Sequence, residues 1–225
     1  MKYTITGSNL QMVNCEIQPG ETLQSTAGSM VSMSGNVSIT SKMDGGFFSG
    51  IKRSLTGSSF MLAKYTAEGG PGTVSLAGKA PGKIYDTDIG EKTWICQKTA
   101  YLGGDEGVSV DIAFQKKLGS MFFGGEGLIL QKLSGKGKAF MHACGDLNIF
   151  DLAPGQILKV STSNAVAWED TVKYDIASLG IKNALFSGEG LFITTLTGPG
   201  KVIIQSMTLY DLAMSLYIYM PTSGS

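Results

Sequence analysis

Nitrogen and sulfur metal ligands are scarce in this chain of 225 residues: one histidine, His142, and three cysteines, Cys15, Cys96 and Cys144. The cysteines are odd in number, far apart and free of any CxxC spacing. That argues against both a disulfide framework and a zinc site, and free, buried thiols are expected. Charge of one sign is also lacking, with 18 basic residues against 18 acidic ones. A nucleic-acid binder needs a basic footprint to displace counterions, so nucleic acid is an unlikely partner. No apolar run reaches the roughly 18 residues of a membrane span, so no transmembrane segment is expected. The opening Met1-Lys2-Tyr3-Thr4-Ile5-Thr6 has no apolar signal region, and a cytoplasmic location is the expectation. Proline is sparse, at 6 residues.

Glycine is not sparse: there are 31, spread between apolar runs, and 43% of the chain is hydrophobic. The glycines mark tight turns, and the apolar content is enough for a core. They also fall in a repeating pattern. Phe123-Gly124-Gly125-Glu126-Gly127-Leu128 returns 63 residues later as Phe186-Ser187-Gly188-Glu189-Gly190-Leu191. Each copy runs through an apolar strand to a second glycine pair, Gly135-Lys136-Gly137 and Gly198-Pro199-Gly200. A looser copy is Thr56-Gly57-Ser58-Ser59-Phe60, leading to Gly70-Pro71-Gly72. A period of this length identifies a structural unit used repeatedly.

Between these marks the chain alternates apolar and polar residues over short runs, the pattern of strands with one buried face. Gly7-Ser8-Asn9 is a hairpin turn. Gln18-Pro19-Gly20-Glu21 turns the chain into a strand from Thr22 to Ala27, and Pro154-Gly155-Gln156 does the same before Ile157–Val160. Leu209, Leu212, Leu216 and Tyr219 approach helical spacing and predict a short C-terminal helix. The expected architecture is a single all-β domain, 1–225, of three units at about 1–88, 89–152 and 153–225. They would pack around a pseudo-threefold axis, or stack, sharing one core.

Few residues suggest chemistry. His142 and Cys144 could share one face of a strand, but two ligands are too few for a metal, and packing is their expected role. Glu126 and Glu189 sit between glycines at equivalent places. They could bind a cation or polar ligand, or simply accept backbone N–H bonds and pin a turn. The Gly-x-Gly runs have no following helix and ribose-binding acid, so the dinucleotide fingerprint fails. No catalytic residue, metal ligand or cofactor is assigned. Phe47, Phe48, Met121 and Phe122 precede glycine-rich turns and are candidate contact positions in a homo-oligomer, alongside a packing role for the Phe47-Phe48 pair.

One combination is more specific. Gly45-Gly46-Phe47-Phe48-Ser49-Gly50-Ile51-Lys52-Arg53, Phe60 through Ala67, Gly70-Pro71-Gly72 and the two Phe-x-Gly-Glu-Gly-Leu runs together resemble a known family over nearly the whole chain. It is the bacterial and archaeal branch of the mitochondrial biogenesis proteins called altered inheritance of mitochondria twenty-four. The resemblance implies a fold like the tryptophan RNA-binding attenuation protein, a compact double-stranded β-helix unit used three times, and assembly into a trimer or ring. It carries over no catalytic residues. The functional expectation is a non-enzymatic oligomeric scaffold or binding module, a trimer favoured. The alternative is small-ligand or nucleic-acid binding in the manner of the fold relative.

Overall fold

The computed structural model describes residues 1–42, 62–116, 127–178, 192–217 and 219–220. It is an antiparallel all-β structure with one short helix. The first stretch holds β1 (Lys2–Thr6), β2 (Met12–Ile17), β3 (Thr22–Thr26), β4 (Met30–Met33), β5 (Val37–Lys42), β6 (Leu62–Ala67) and β7 (Gly72–Ala77). The middle stretch holds β8 (Gly82–Ile89), β9 (Trp94–Gln97), β10 (Tyr101–Asp105), β11 (Val108–Lys116), β12 (Leu128–Gly135) and β13 (Gly137–Cys144). The last holds β14 (Leu147–Leu152), β15 (Ile157–Ser161), β16 (Ala165–Glu169), β17 (Lys173–Ser178), β18 (Phe192–Thr197) and β19 (Gly200–Gln205), then helix α1 (Leu209–Tyr217).

The alternation read in the sequence is borne out where one face is wet: β2 and β6 bury every second residue. The Pro-Gly and Gly-Glu turn signals also hold. Gly20 and Gly155 have φ of 88° and 77°, and the carbonyls of Gln18 and Ala153 accept the N–H of Glu21 and Gln156 at 2.9 Å. The predicted hairpin at Gly7 joins β1 to β2. Tyr3 of β1 packs edge-on against Phe140, ring centroids 4.9 Å apart, which ties this first strand to the middle stretch.

The strands pair in four sheets, ordered β1-β2-β7-β4, β5-β6-β3-β10-β13-β8, β11-β12-β9-β16-β19-β14 and β15-β18-β17. The pairings β2-β7-β4 and β5-β6-β3 of the first stretch recur as β8-β13-β10 and β11-β12-β9, and again as β14-β19-β16 and β17-β18-β15. The register shifts at matching places too: between Met30 and Ser32, between Tyr101 and Gly103, and between Ala165 and Ala167. The strand at 82–89, which the sequence reading leaves mostly with the first unit, pairs with β13.

Neighbouring stretches are joined by strand pairing. β3 pairs β10, with Gly103 opposite Ser25 and Gly104 opposite Gln24. β9 pairs β16, with Ala167 opposite Cys96 and Trp168 opposite Ile95. The strands that match these at the two ends, β4 and β15, are the last strands of their sheets. In place of one shared core, buried side chains form three clusters. The first centres on Val13, Cys15, Leu23, Tyr65 and Leu76; the second on Trp94, Cys96, Tyr101, Leu133 and Met141; the third on Leu130, Trp168, Leu196 and Val202. Each cluster also takes residues across a shared sheet: Phe140 in the first, Ile203 in the second, Ile95 in the third.

Candidate functional site

Phe47, Phe48, Met121, Phe122, Glu126 and Glu189 lie outside the described residues. The site that the described residues form is a different one. It is a cavity of about 490 Å³ where all three stretches and α1 meet, within the range of about 300–1,000 Å³ usual for small-molecule sites.

β13 contributes two residues to its wall. His142 and Cys144, two residues apart on that strand, both line the cavity, so the expectation that they share a face holds. The imidazole lies against two glycines: a Cβ at Gly78 would overlap the ring, and one at Gly82 would stand 2.8 Å from Nε2. Only glycine lets the β7–β8 turn approach so closely. His142 is 9% exposed. Burial holds its pKa below the usual 6.5, and a hydrogen bond with the Ala80 backbone only partly opposes this, so the ring is uncharged at neutral pH. Burial, and then the charge of Asp211, pushes the Cys144 thiol up. An uncharged imidazole beside an un-ionised thiol is the reverse of an activated nucleophile pair, in which a thiolate is stabilised. Among the described residues there is no group of three His, Cys, Asp or Glu side chains that could hold a metal.

Most other polar groups of the wall are engaged within the protein. Gln205 accepts the Cys144 N–H at 2.8 Å and donates to the Ser163 carbonyl at 2.9 Å. Gln97 donates to the Thr162 carbonyl at 2.7 Å, and the Thr26 hydroxyl to the Tyr101 carbonyl at 2.7 Å. What faces the cavity is mainly aliphatic: Ala77, Ala100, Leu102, Leu128, Ile129 and Val166.

Helix α1 closes one side with Leu209, Tyr210 and Ala213. It starts in a reciprocal cap: Asp211 accepts from the Thr208 N–H and hydroxyl at 3.0 and 2.6 Å, and Thr208 accepts the Asp211 N–H at 3.0 Å. The cap engages the Asp211 carboxylate, which is not part of the lining. Two lysines do line the cavity, Lys79 and Lys98, with no acidic side chain among the described lining residues. Sequence reasoning missed this place because its lining comes from many separated segments. The local traces were the His142 and Cys144 pair and the small residues Ala77, Gly78 and Ala80.

The fold and site thus define an antiparallel β protein with an apolar, inter-stretch cavity. Its family follows from comparison: the family model described as Mitochondrial biogenesis AIM24 matches residues 3–207, and the chain belongs to that family. An uncharacterized protein of Streptococcus pyogenes serotype M6 is 29% identical, over all of this chain and 93% of its own length. A crystal structure of another Streptococcus pyogenes protein superposes with a TM-score of 0.81 at 25% identity, covering 97% of this chain and 99% of that one. Among the described residues no helix is long and apolar enough to cross a membrane.

Proposed function

We propose that this protein is a non-enzymatic β scaffold or binding module that works as a homo-oligomer, with three copies the favoured assembly. The three stretches are read as three copies of one double-stranded β-helix unit, joined one to the next by the two shared sheets. The observation that carries the reading is the pair of end strands. β4 stands where β10 and β16 stand, and β15 where β3 and β9 stand, yet each is the last strand of its sheet. An open edge is a template for another strand, and two complementary open edges on one chain make a head-to-tail contact that closes into a ring or runs on as a filament.

The register follows from the two joints already made. Ser32 follows its bulge as Gly103 and Ala167 follow theirs, and Val160 matches Ser25 and Cys96. Ser32 of one copy therefore faces Val160 of the next, and Met33 faces Lys159. The four strands ending in β4 and the three ending in β15 become one continuous sheet. Both β4 and the start of β15 expose apolar side chains, with Val31 at 57% and Ile157 at 61%. That is a liability on a free edge and an asset in a joint.

The test is the double variant Met33→Cys, Lys159→Cys, oxidised and run on a non-reducing gel beside light scattering of the unaltered protein. Covalent species reaching three chains, and a mass of about three chains unmoved by salt, are expected. A monomer mass, or a bond formed only within one chain, overturns the oligomer and puts ring closure inside the single chain. Cys15 and Cys96 are buried and do not compete for the new thiols, and the pair is made in a Cys144→Ala background because Cys144 lines the cavity.

A further inference from the structure

The cavity is mainly aliphatic, and most of the buried polar side chains in its lining are spent within the protein. Ser29 donates to the Thr26 carbonyl at 2.7 Å, and Thr208 closes the cap of α1. Gln97 and Gln205 donate to the Thr162 and Ser163 carbonyls. His142 is the exception. A neutral imidazole carries one N–H and one bare nitrogen. Its hydrogen bond with the Ala80 backbone favours the charged ring, so in that bond the imidazole donates and a carbonyl accepts. The second nitrogen is therefore an acceptor, and no described residue donates to it. The side chain belongs to a residue only 9% exposed, and Gly78 and Gly82 lie against the ring and fix its direction. In an apolar chamber a buried acceptor without a donor is costly, and a ligand that brings the donor removes that cost.

We propose that this cavity binds an uncharged aliphatic alcohol, its hydroxyl donating to the bare nitrogen of His142 and its chain lying among Leu102, Leu128, Ile129 and Val166. This rests on the binding-module part of the reading above and not on the oligomer. A lone pair selects for a donor. A hydroxyl supplies one, an ether of the same size does not, and a carboxylate presents only further lone pairs. An ammonium group donates too, but it would carry its charge out of water at a larger cost. The aliphatic chain supplies most of the affinity by leaving water, and the hydrogen bond makes the choice among ligands of equal size. Nothing in the proposal is asked of the lysines in the lining. The wall is completed by Leu209, Tyr210 and Ala213 of α1, a helix that buries none of its residues.

The test is calorimetric titration of the full chain at neutral pH with octanol, its isomer heptyl methyl ether, octanoate and octylamine. Octanol is expected to bind saturably at one per chain, the ether about fivefold or more weakly, and the two charged probes more weakly still. His142 is the only histidine, so its ring nitrogens can be followed alone by nitrogen-15 resonance. Octanol should move the signal of the unprotonated nitrogen, and the ether should leave it in place. His142→Phe removes the acceptor and keeps an aromatic ring, and the folded variant should bind alcohol and ether equally. Ala213→Trp places a large ring in the cavity from an exposed helix position and should remove octanol binding with the fold intact by circular dichroism. Any one of four results overturns the proposal: no saturable binding of octanol, an ether or charged probe bound as tightly as the alcohol, an alcohol preference that survives His142→Phe, or undiminished binding by a folded Ala213→Trp. Oligomer mass and cross-linking are read independently, so loss of one proposal leaves the other standing.

Discussion

Lys132 on β12 pairs with Asp170 just beyond β16 at 2.7 Å, across the sheet that joins the middle and last stretches. Lys64 and Glu106 make the same contact at 3.0 Å across the sheet that joins the first and middle ones. The two lysines match in register, Lys64 opposite Gln24 and Lys132 opposite Ile95. A second ion pair at the later joint, Lys92 with Glu169 at 2.6 Å, differs in setting, for the Glu169 side chain is only 6% exposed. Lys132 and Asp170 are both more than 40% exposed.

Those settings separate the expected costs. Lys132→Ala removes a screened surface contact and should cost at most about 1 kcal/mol, less at high salt. Lys92→Ala strands a buried carboxylate and should cost about 1–3 kcal/mol, between the exposed and fully buried limits because Lys92 itself is half exposed. Urea unfolding midpoints of the two variants, at low and high salt, measure the difference. Equal costs, or an Asp170 pair that outlasts salt better than the Glu169 pair, would contradict this ordering.

The contact between His142 and Gly78 predicts a second result. Gly78→Ala puts a methyl group into the imidazole, and overpacking of this kind costs about 1–3 kcal/mol. The loss should be relieved when the ring is also removed. In a double-mutant cycle, Gly78→Ala with His142→Ala should therefore lose clearly less than the sum of the single losses. Additive losses would show that the two residues do not press on one another.

His142 also fixes a pH dependence. Its folded pKa lies below 6.5, so below that pH the unfolded chain binds a proton that the folded chain resists. Stability from this group is complete above about pH 7.5, falls as the pH drops through 6.5, and levels once the folded pKa is passed. It is the only histidine, so the slope in that window has one dominant source. Unfolding free energies from pH 5 to 8 should show it in the unaltered protein, and His142→Asn should flatten it.

Much of this fold was legible because its signals are local. Thr22–Thr26, Gly72–Ala77 and Ile157–Ser161 sit where turn glycines and alternation put them, and α1 sits where the leucines recur. Two central strands were not legible. β10 contains Gly103 and Gly104, which give no alternation to read, and there they let strands come close: a Cβ at either would collide with the Gln24 or Lys138 carbonyl. β16 runs Ala165-Val166-Ala167-Trp168-Glu169 and is buried on both faces, so it has no alternation to read. The repeated glycine pattern pointed to three stretches, yet the split of the core into three clusters depends on pairings such as β3 with β10 that no local pattern encodes. The cavity was invisible for the same reason. Of its residues, only His142 and Cys144 were weighed beforehand for chemistry.

The thiols supply the last prediction. Burial lifts Cys15 and Cys96 to about 12, and it raises Cys144 as well. A rise from 9 to 12 lowers the thiolate fraction at pH 8 by about 1000-fold, and the thiolate is the form that attacks a disulfide reagent. In the native protein Cys15 and Cys96 should therefore react with an aromatic disulfide reagent only through unfolding, whereas all three should titrate at once in guanidinium chloride. Cys144 differs in lining the cavity, one side of which is a helix with no buried residue. It should be the first of the three to react, and Cys144→Ala should remove the early phase alone. An early phase that survives that substitution would mean that either Cys15 or Cys96 is far more accessible than its full burial allows.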